Sequence, residues 1–587
     1  MRTRICDNWK WSGAYDILNV FMKTEGKRIK GAFMEIMLKI RPGEEPRRII
    51  RNGPAALEEL AEEFAAELPY TVMLAKVNGK YEELTFVPEE DSEVELLDIR
   101  NHSADLAYQN SLCLLYLKSV MDVMGKVTVR IDNSLNKGLY TEIDSDQPVT
   151  ETQVEQIENR MRELAAEDIA IVREVYQRED AIEIWEEYNY MEKGRLLREK
   201  EDIREAKFYS IEGYRNFFYG LMVPSTGYLK YFRLEKYRDG VLLRFPQPSR
   251  PDEMPENIDD SKIYEAFKEA KQWHRLLDLE YLADLNERMR GNSWKELVLL
   301  SEALHEKKIA EIADRITSEN KRIILIAGPS SSGKTTFARR LCVQLRVNGL
   351  KPLYMGIDDY YLDRCDSPVD EDGNYNFENL DSIDVELFNN NMNGLLAGET
   401  VDLPEFDFMK GEKVFGKRLT SIEADQPIVI EGIHGLNGQL TEKIDDRQKF
   451  RIYISPFTQL NIDIHNRVTT TDARMIRRIV RDYEFRGSSA AETIALWPKV
   501  RAGEDRNIFP YNGQADVMFN SALAYELAVL GKYAVPVLEE VQPDQPEYAE
   551  AVRLLKFIRY FEFMDDDGAV PNNSIIREFI GGSIFAE

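Results

Sequence analysis

The clearest chemistry in this 587-residue sequence lies in Gly328-Pro329-Ser330-Ser331-Ser332-Gly333-Lys334-Thr335. Glycines at the first and sixth positions let backbone amides turn inward around phosphate oxygens. Lys334 can then reach the outer phosphates, and the Thr335 hydroxyl suits Mg²⁺. Ser330, Ser331, Ser332 and Thr336 complete the expected cradle, and the helix that should follow adds the positive end of its dipole. The pattern implies that a nucleoside triphosphate, ATP or GTP, is held here with Mg²⁺.

Other candidate residues follow at nearby chain positions. Asp358-Asp359-Tyr360-Tyr361 ends an apolar run, where a carboxylate could orient or deprotonate a substrate hydroxyl and aromatic neighbours could wall an acceptor pocket. Glu431 ends another such run, just before Gly432, and fits an acid acting on Mg²⁺ directly or through water. Arg474, Arg477, Arg478 and Arg481 recur at helical spacing with Arg486 beyond. Such a stripe can neutralise a transferring phosphate as a closing lid, or form a salt-bridged helix on an acidic protein.

Placing these groups requires a parallel α/β sheet. Ile323–Ala327 reads as a buried strand, Thr336–Arg346 as a helix with Phe337, Leu341 and Leu345 on one face, and Pro352–Ile357 and Pro427–Ile430 as further strands. The chain is 43% hydrophobic and 31% charged, which together with its length predicts several domains. Its formal net charge of -28 opposes non-specific attraction to nucleic acid or anionic membrane. Cys6, Cys113, Cys342 and Cys365 form no C-x-x-C motif, and no run is apolar enough for a membrane span, so a soluble cytoplasmic protein is expected.

Residues 1–33 read as an extension. In residues 34–98, Met34–Arg41 reads as a strand, Ala55–Glu67 as an amphipathic helix, and Val72–Val77 with Glu83–Pro88 as a hairpin turning at Asn78-Gly79. Residues 99–250 open with a helix over Ser103–Val123 and include a β-rich stretch from Phe208 to Phe245. A helical connector fills residues 251–320, with Ser293-Trp294-Lys295-Glu296 as a capping box, and residues 321–587 form the last unit.

Residues 321 to about 530 resemble the uridine kinase and phosphoribulokinase family of P-loop kinases. The similarity rests on the phosphate loop, Ile357 to Tyr361, Asn376-Phe377-Glu378-Asn379-Leu380-Asp381, Leu403 to Phe408, Ile430-Glu431-Gly432 and Arg474 to Gly487. The resemblance implies that Asp358 is the general base toward a ribose 5′-hydroxyl. It also gives Tyr361, Glu378, Phe406, Phe408 and Arg474 to the acceptor, with Lys334, Arg478 and Arg486 on the transferring group. Where uridine kinases usually show Tyr-Asp-Phe, this chain has Phe406-Asp407-Phe408, and the histidine expected shortly afterwards is absent. The acceptor is thus read as a uridine- or cytidine-like nucleoside, with another sugar or sugar phosphate as the alternative.

Residues 34–98 resemble a TGS domain, a small β-grasp module, and residues 99–245 resemble the α+β editing domain of threonyl-tRNA synthetase. The matches are His102-Ser103-Ala104, Asn136 to Tyr140, and Val223 to Lys230. Of the four metal-ligand positions that domain usually carries, this chain keeps only His102; the others read Leu106, Phe218 and Met222. No zinc is therefore expected. The domain is read as a scaffold or binding surface, with an RNA-binding regulator switched by nucleotide as the competing view, and self-association is left open.

Overall fold

The computed structural model describes residues 33–41, 44–187, 190–200, 203–369, 378–458 and 460–585. The extension up to residue 32, Cys6, and the motif residues Asn376 and Phe377 lie outside them.

The first unit comprises β1 (Phe33–Lys39), β2 (Arg47–Asn52), α1 (Leu57–Glu63), β3 (Val72–Val77), β4 (Lys80–Glu82) and β5 (Ser92–Asp98). They make one five-stranded sheet in the order β2-β1-β5-β3-β4, with β1 and β5 parallel. Asn78 and Gly79 take the positive φ angles of +47° and +76° that a tight hairpin turn needs. The returning strand is Lys80–Glu82, however, not Glu83–Pro88. The carbonyls of Leu84 and Phe86 accept instead from the N–H groups of Glu58 and Leu57, satisfying the start of α1.

The second unit runs through α2 (His102–Met124), β6 (Thr128–Leu135), β7 (Gly138–Asp144), α3 (Glu151–Ala166), β8 (Val172–Gln177), α4 (Arg178–Glu187), α5 (Met191–Glu199), β9 (Glu205–Ile211), β10 (Tyr214–Phe217), β11 (Arg233–Tyr237) and β12 (Gly240–Arg244). Two antiparallel sheets, β11-β12-β7-β6 and β10-β9-β8, share a core with the long helix α2. Apolar residues lie on most sides of α2, so it is buried over most of its length.

Three helices follow: α6 (Ser261–Leu276), α7 (Leu282–Arg290) and α8 (Trp294–Ser318). Ser293 precedes α8 in a helical conformation, and its side chain does not cap, so the expected capping box does not form.

The last unit contains β13 (Ile323–Ala327), α9 (Lys334–Val347), β14 (Leu353–Gly356), α10 (Val385–Leu396), β15 (Val401–Asp407), β16 (Glu412–Thr420), β17 (Ile428–Glu431), β18 (Lys449–Ser455), α11 (Thr470–Arg486), α12 (Ala490–Asn507), β19 (Val517–Asn520), α13 (Glu526–Glu539), α14 (Tyr548–Ile558) and α15 (Arg577–Ile580). Its sheet, β14-β17-β13-β18-β19, is parallel throughout, and β15 and β16 form a separate hairpin. Every residue of β13 is buried, as a central parallel strand requires. Ile324 and Ile326 enter the core shared with α8, α9 and α11, while Ile323 and Leu325 enter the core shared with α10. In register, Ile326 and Gly356 both align with Glu431, so three strands deliver their C-terminal ends to one crevice.

Candidate active site

The phosphate loop leaves β13 at Gly328, where a Cβ would lie 2.0 Å from the carbonyl of Ile454, so only glycine fits. Ser331 and Gly333 take φ angles of +59° and +84°, turning the loop into α9. Lys334 donates to the carbonyls of Gly328 and Pro329 at 3.0 and 3.2 Å, folded over its own loop. Among the described residues the buried hydroxyls of Ser331 and Ser332 have no protein partner, and phosphate oxygens would satisfy them.

Glu431 closes the metal side. Its Oε1 accepts from the Thr335 hydroxyl at 3.0 Å and the Tyr354 hydroxyl at 3.3 Å. Burial pushes its carboxyl up to about 7 against the opposing pull of Lys334. A hydroxyl and a carboxylate in contact are hard oxygen donors of the kind Mg²⁺ takes, so the residues present fit that ion.

Asp358 lies two residues past β14, on the first turn of a short 3₁₀ segment. Its side chain is exposed just past the C-terminal end of β14, and the protein packed around it raises its proton affinity. Lys334 opposes the shift, and Asp359 and Glu378 add to it. Tyr361 is buried beside it, with a hydroxyl held well above the usual phenol range by burial and by Asp358. Asp359 turns the other way: its Oδ2 pairs with Arg418 of β16 at 2.7 Å and fastens the hairpin. The two neighbouring acids therefore divide into one facing the crevice and one bracing its wall.

That wall is aromatic. The rings of Tyr361 and Phe406 lie 5.7 Å apart and those of Phe406 and Phe408 5.1 Å apart, both edge-to-face. Phe406 is buried and Phe408 stands 61% exposed. Glu378 packs against Gly503 of α12, and burial together with Glu504 raises its carboxyl.

The arginine stripe divides in two. Arg478 donates to the Ser330 hydroxyl at 2.9 Å and Arg486 is half exposed above Asp482, so both remain on the phosphate side. Arg474, expected to bind acceptor, is instead 1% exposed, ion-paired with Glu504 and stacked 5.3 Å over Trp497. Arg477 is likewise buried against Glu526 at 2.5 Å. On the apolar face of an amphipathic helix these two guanidiniums need carboxylate partners, and they brace the loop through the carbonyls of Ser330 and Ser331.

Two acids not singled out in the sequence complete the site. Glu504 accepts from the Ser330 amide at 2.9 Å, and Glu578 accepts from both the amide and hydroxyl of Thr336. Each comes from a helix distant in sequence and belongs to no motif, so only the fold reveals it.

Residues 323–527 match the phosphoribulokinase / uridine kinase family. A uridine kinase of Ligilactobacillus salivarius is 32% identical over 177 residues, 30% of this chain and 74% of that protein. The chain belongs to this family. A second family member, the uridine kinase of Halobacterium salinarum, is 30% identical over 194 residues, 33% of this chain and 77% of its own length. The phosphate loop, Asp358, Glu431 and Arg478 thus lie within a family kinase domain, which implies phosphotransfer with ATP and Mg²⁺. A threonine–tRNA ligase of Methylobacillus flagellatus is also 28% identical over 185 residues, 32% of this chain, and this chain spans only 29% of that ligase.

His102, the retained position of the synthetase-like region, is the first residue of α2, with Nε2 3.7 Å from Asp472 Oδ1. Among the described residues, His102, Asp472 and Glu550 form the one grouping with metal-ligand spacing. Both carboxylates are already paired with Arg553, at 2.5 and 2.7 Å. Phe218 and Met222 are buried core residues. Among the described residues no helix is long and apolar enough to cross a membrane.

Proposed function

We propose that this kinase moves the γ-phosphoryl group of ATP or GTP to the primary hydroxyl of a nucleoside, uridine- or cytidine-like. The observation that carries this reading is Asp358, an exposed carboxylate two residues past the end of β14, at the edge where Glu431 and the phosphate loop also leave the sheet, with Lys334 and Tyr361 acting on its charge. Asp358 takes the proton of the acceptor hydroxyl as its oxygen attacks phosphorus, and Glu378 and Tyr361 orient the sugar. Lys334, the loop amides, Arg478 and Arg486 hold the phosphates and the charge that develops on them. Thr335 and Glu431 would hold Mg²⁺, which neutralises phosphate oxygens when bound. Tyr361, Phe406 and Phe408 exclude water from the acceptor side.

The deciding measurement is a coupled ADP-release screen across nucleosides, sugars and sugar phosphates. Lys334→Ala should abolish turnover, and Asp358→Asn should suppress it by about 10²- to 10⁴-fold while ATP binding persists. Near-wild-type turnover by Asp358→Asn would remove it as base.

One observation favours a sugar or sugar phosphate as the second reading. Asp407 Oδ1 accepts from the amides of Met409 and Lys410, both at 3.1 Å, so this acid serves its own turn and not a base. A screen in which only phosphorylated sugars are turned over would select that reading. For the front half we retain the division into a TGS-like unit at 34–98, an editing-like unit at 99–250 and a connector at 251–320. Saturable tRNA binding at physiological salt would support the regulator view, and its absence would leave a scaffold.

A further inference from the structure

The segment that ends in α15 lies directly on the phosphate loop. Ile575, Ile576 and Phe579 are fully buried in the kinase core, and the Phe579 ring lies 5.1 Å beneath the Arg477 guanidinium. A Cβ on Gly333 would come within 2.5 Å of Ile575 Cγ2, so the segment touches the sixth residue of the loop. Arg577 fixes it further by donating to the carbonyls of Asp567 and Val570 at 2.7 and 2.8 Å.

From this anchored segment Glu578 reaches the start of α9. Its Oε2 accepts from the Thr336 hydroxyl at 2.8 Å and the Thr336 amide at 3.2 Å. Thr336 is the third residue of α9, so its amide is among the first-turn donors that have no intrahelical acceptor. Those donors and the helix dipole are what a phosphate loop offers to the phosphates nearest the nucleoside. A carboxylate therefore already occupies donors that a phosphate oxygen would use. Its charge is also felt by Glu431 and Arg486, on either side of the loop.

We propose that Glu578 is a built-in competitor for the phosphate cradle, displaced by the phosphates of an incoming nucleotide. The inference rests on reading Gly328–Thr335 as a triphosphate site. One amide and one hydroxyl cannot serve two anions along the same direction, and two unscreened negative groups at that spacing repel. Glu578 is only half-buried, whereas its neighbours Ile575, Ile576 and Phe579 are deep in the core. The carboxylate can therefore swing toward solvent while the segment stays docked. Glu578 thus lowers nucleotide affinity, and it prevents weakly held anions from filling the loop.

The test is calorimetric titration of the full chain, wild type, Glu578→Gln and Glu578→Ala, with ATP, GTP, AMP and adenosine, with thermal midpoints as the check on folding. Glutamine keeps the shape and removes the charge; alanine removes both. Both variants should bind ATP and AMP about five- to tenfold more tightly, with adenosine unchanged. Wild type and folded variants binding ATP equally, or variants binding it more weakly, would make Glu578 a helix cap and overturn the inference alone. Binding of neither ATP nor GTP by any of the three would overturn both the inference and the triphosphate reading.

Discussion

The ammonium of Lys193 lies 3.1 Å from Nδ1 of His465, 272 residues further along the chain, and both side chains are buried. Lys193 is on α5 and His465 on the segment joining β18 to the arginine helix α11. Because the lysine can only donate, Nδ1 accepts, and burial beside a cation holds His465 neutral, well below its ordinary pKa. Asp463 completes the cluster 3.5 Å from Lys193. The segment that leads into the phosphate-side arginines is therefore fastened to the front half.

Removing the cation should expose that dependence. Lys193→Met leaves the Asp463 charge buried without its cation and should cost about 3 kcal/mol. The measured sign would be a thermal midpoint several degrees lower, partly recovered in Lys193→Met with Asp463→Asn. An unchanged midpoint for the single variant would show that the junction contributes nothing to stability.

The divided arginine stripe predicts two different phenotypes. Arg474→Ala strands Glu504, whose remaining cation is Arg501 at 3.0 Å, so stability should fall by about 3 kcal/mol. Arg478→Ala loses the contact to Ser330 and an ion pair with Asp482, which keeps Arg481 and Arg486, so its midpoint should change little while kcat falls by about 10²-fold or more. Calorimetry and steady-state kinetics on the same preparations decide, and reversed phenotypes would refute the assignment.

The stripe also shows where sequence reading reaches its limit. Gly328 to Thr335, Asp358 and Glu431 are legible because each sits at or just past the end of a short apolar strand, and in a parallel sheet all such ends meet on one edge. The helical period of the arginines is equally visible, but which of them faces the core depends on Glu504 and Glu526, 30 and 49 residues away. Glu578 is further still, 242 residues from Thr336, and no local pattern joins them. The Ser293 capping box fails for a related reason: its spacing is correct, but the serine backbone is already helical, so its side chain makes no cap.

Glu431→Gln tests the metal side. The amide keeps the shape but loses the charge that would face Mg²⁺, so half-saturation by Mg²⁺ should rise by about 10- to 100-fold at fixed ATP. The ATP affinity measured without metal should change far less. An unaltered Mg²⁺ requirement would take Glu431 out of the metal site.

Asp105, in the first turn of α2, supplies a pH test away from the catalytic crevice. Its Oδ2 accepts from Gln109 at 2.9 Å, its buried Oδ1 has no partner among the described residues, and burial pushes the carboxyl up to about 6. His102, Gln109, Arg467 and Arg501 pull in the opposite direction without cancelling the shift. A folded-state pKa above the unfolded value of about 4 means that the native state holds a proton the unfolded chain has released. The contribution of Asp105 is therefore fully present below about pH 4 and is lost as pH rises through about 6. Asp105→Asn stays neutral throughout, so its thermal midpoint relative to wild type should climb steadily between pH 4 and pH 7 and then level off. A difference that stays flat across that window, or falls, would mean that Asp105 is ionised in the folded protein and stabilised by Arg467 and Arg501.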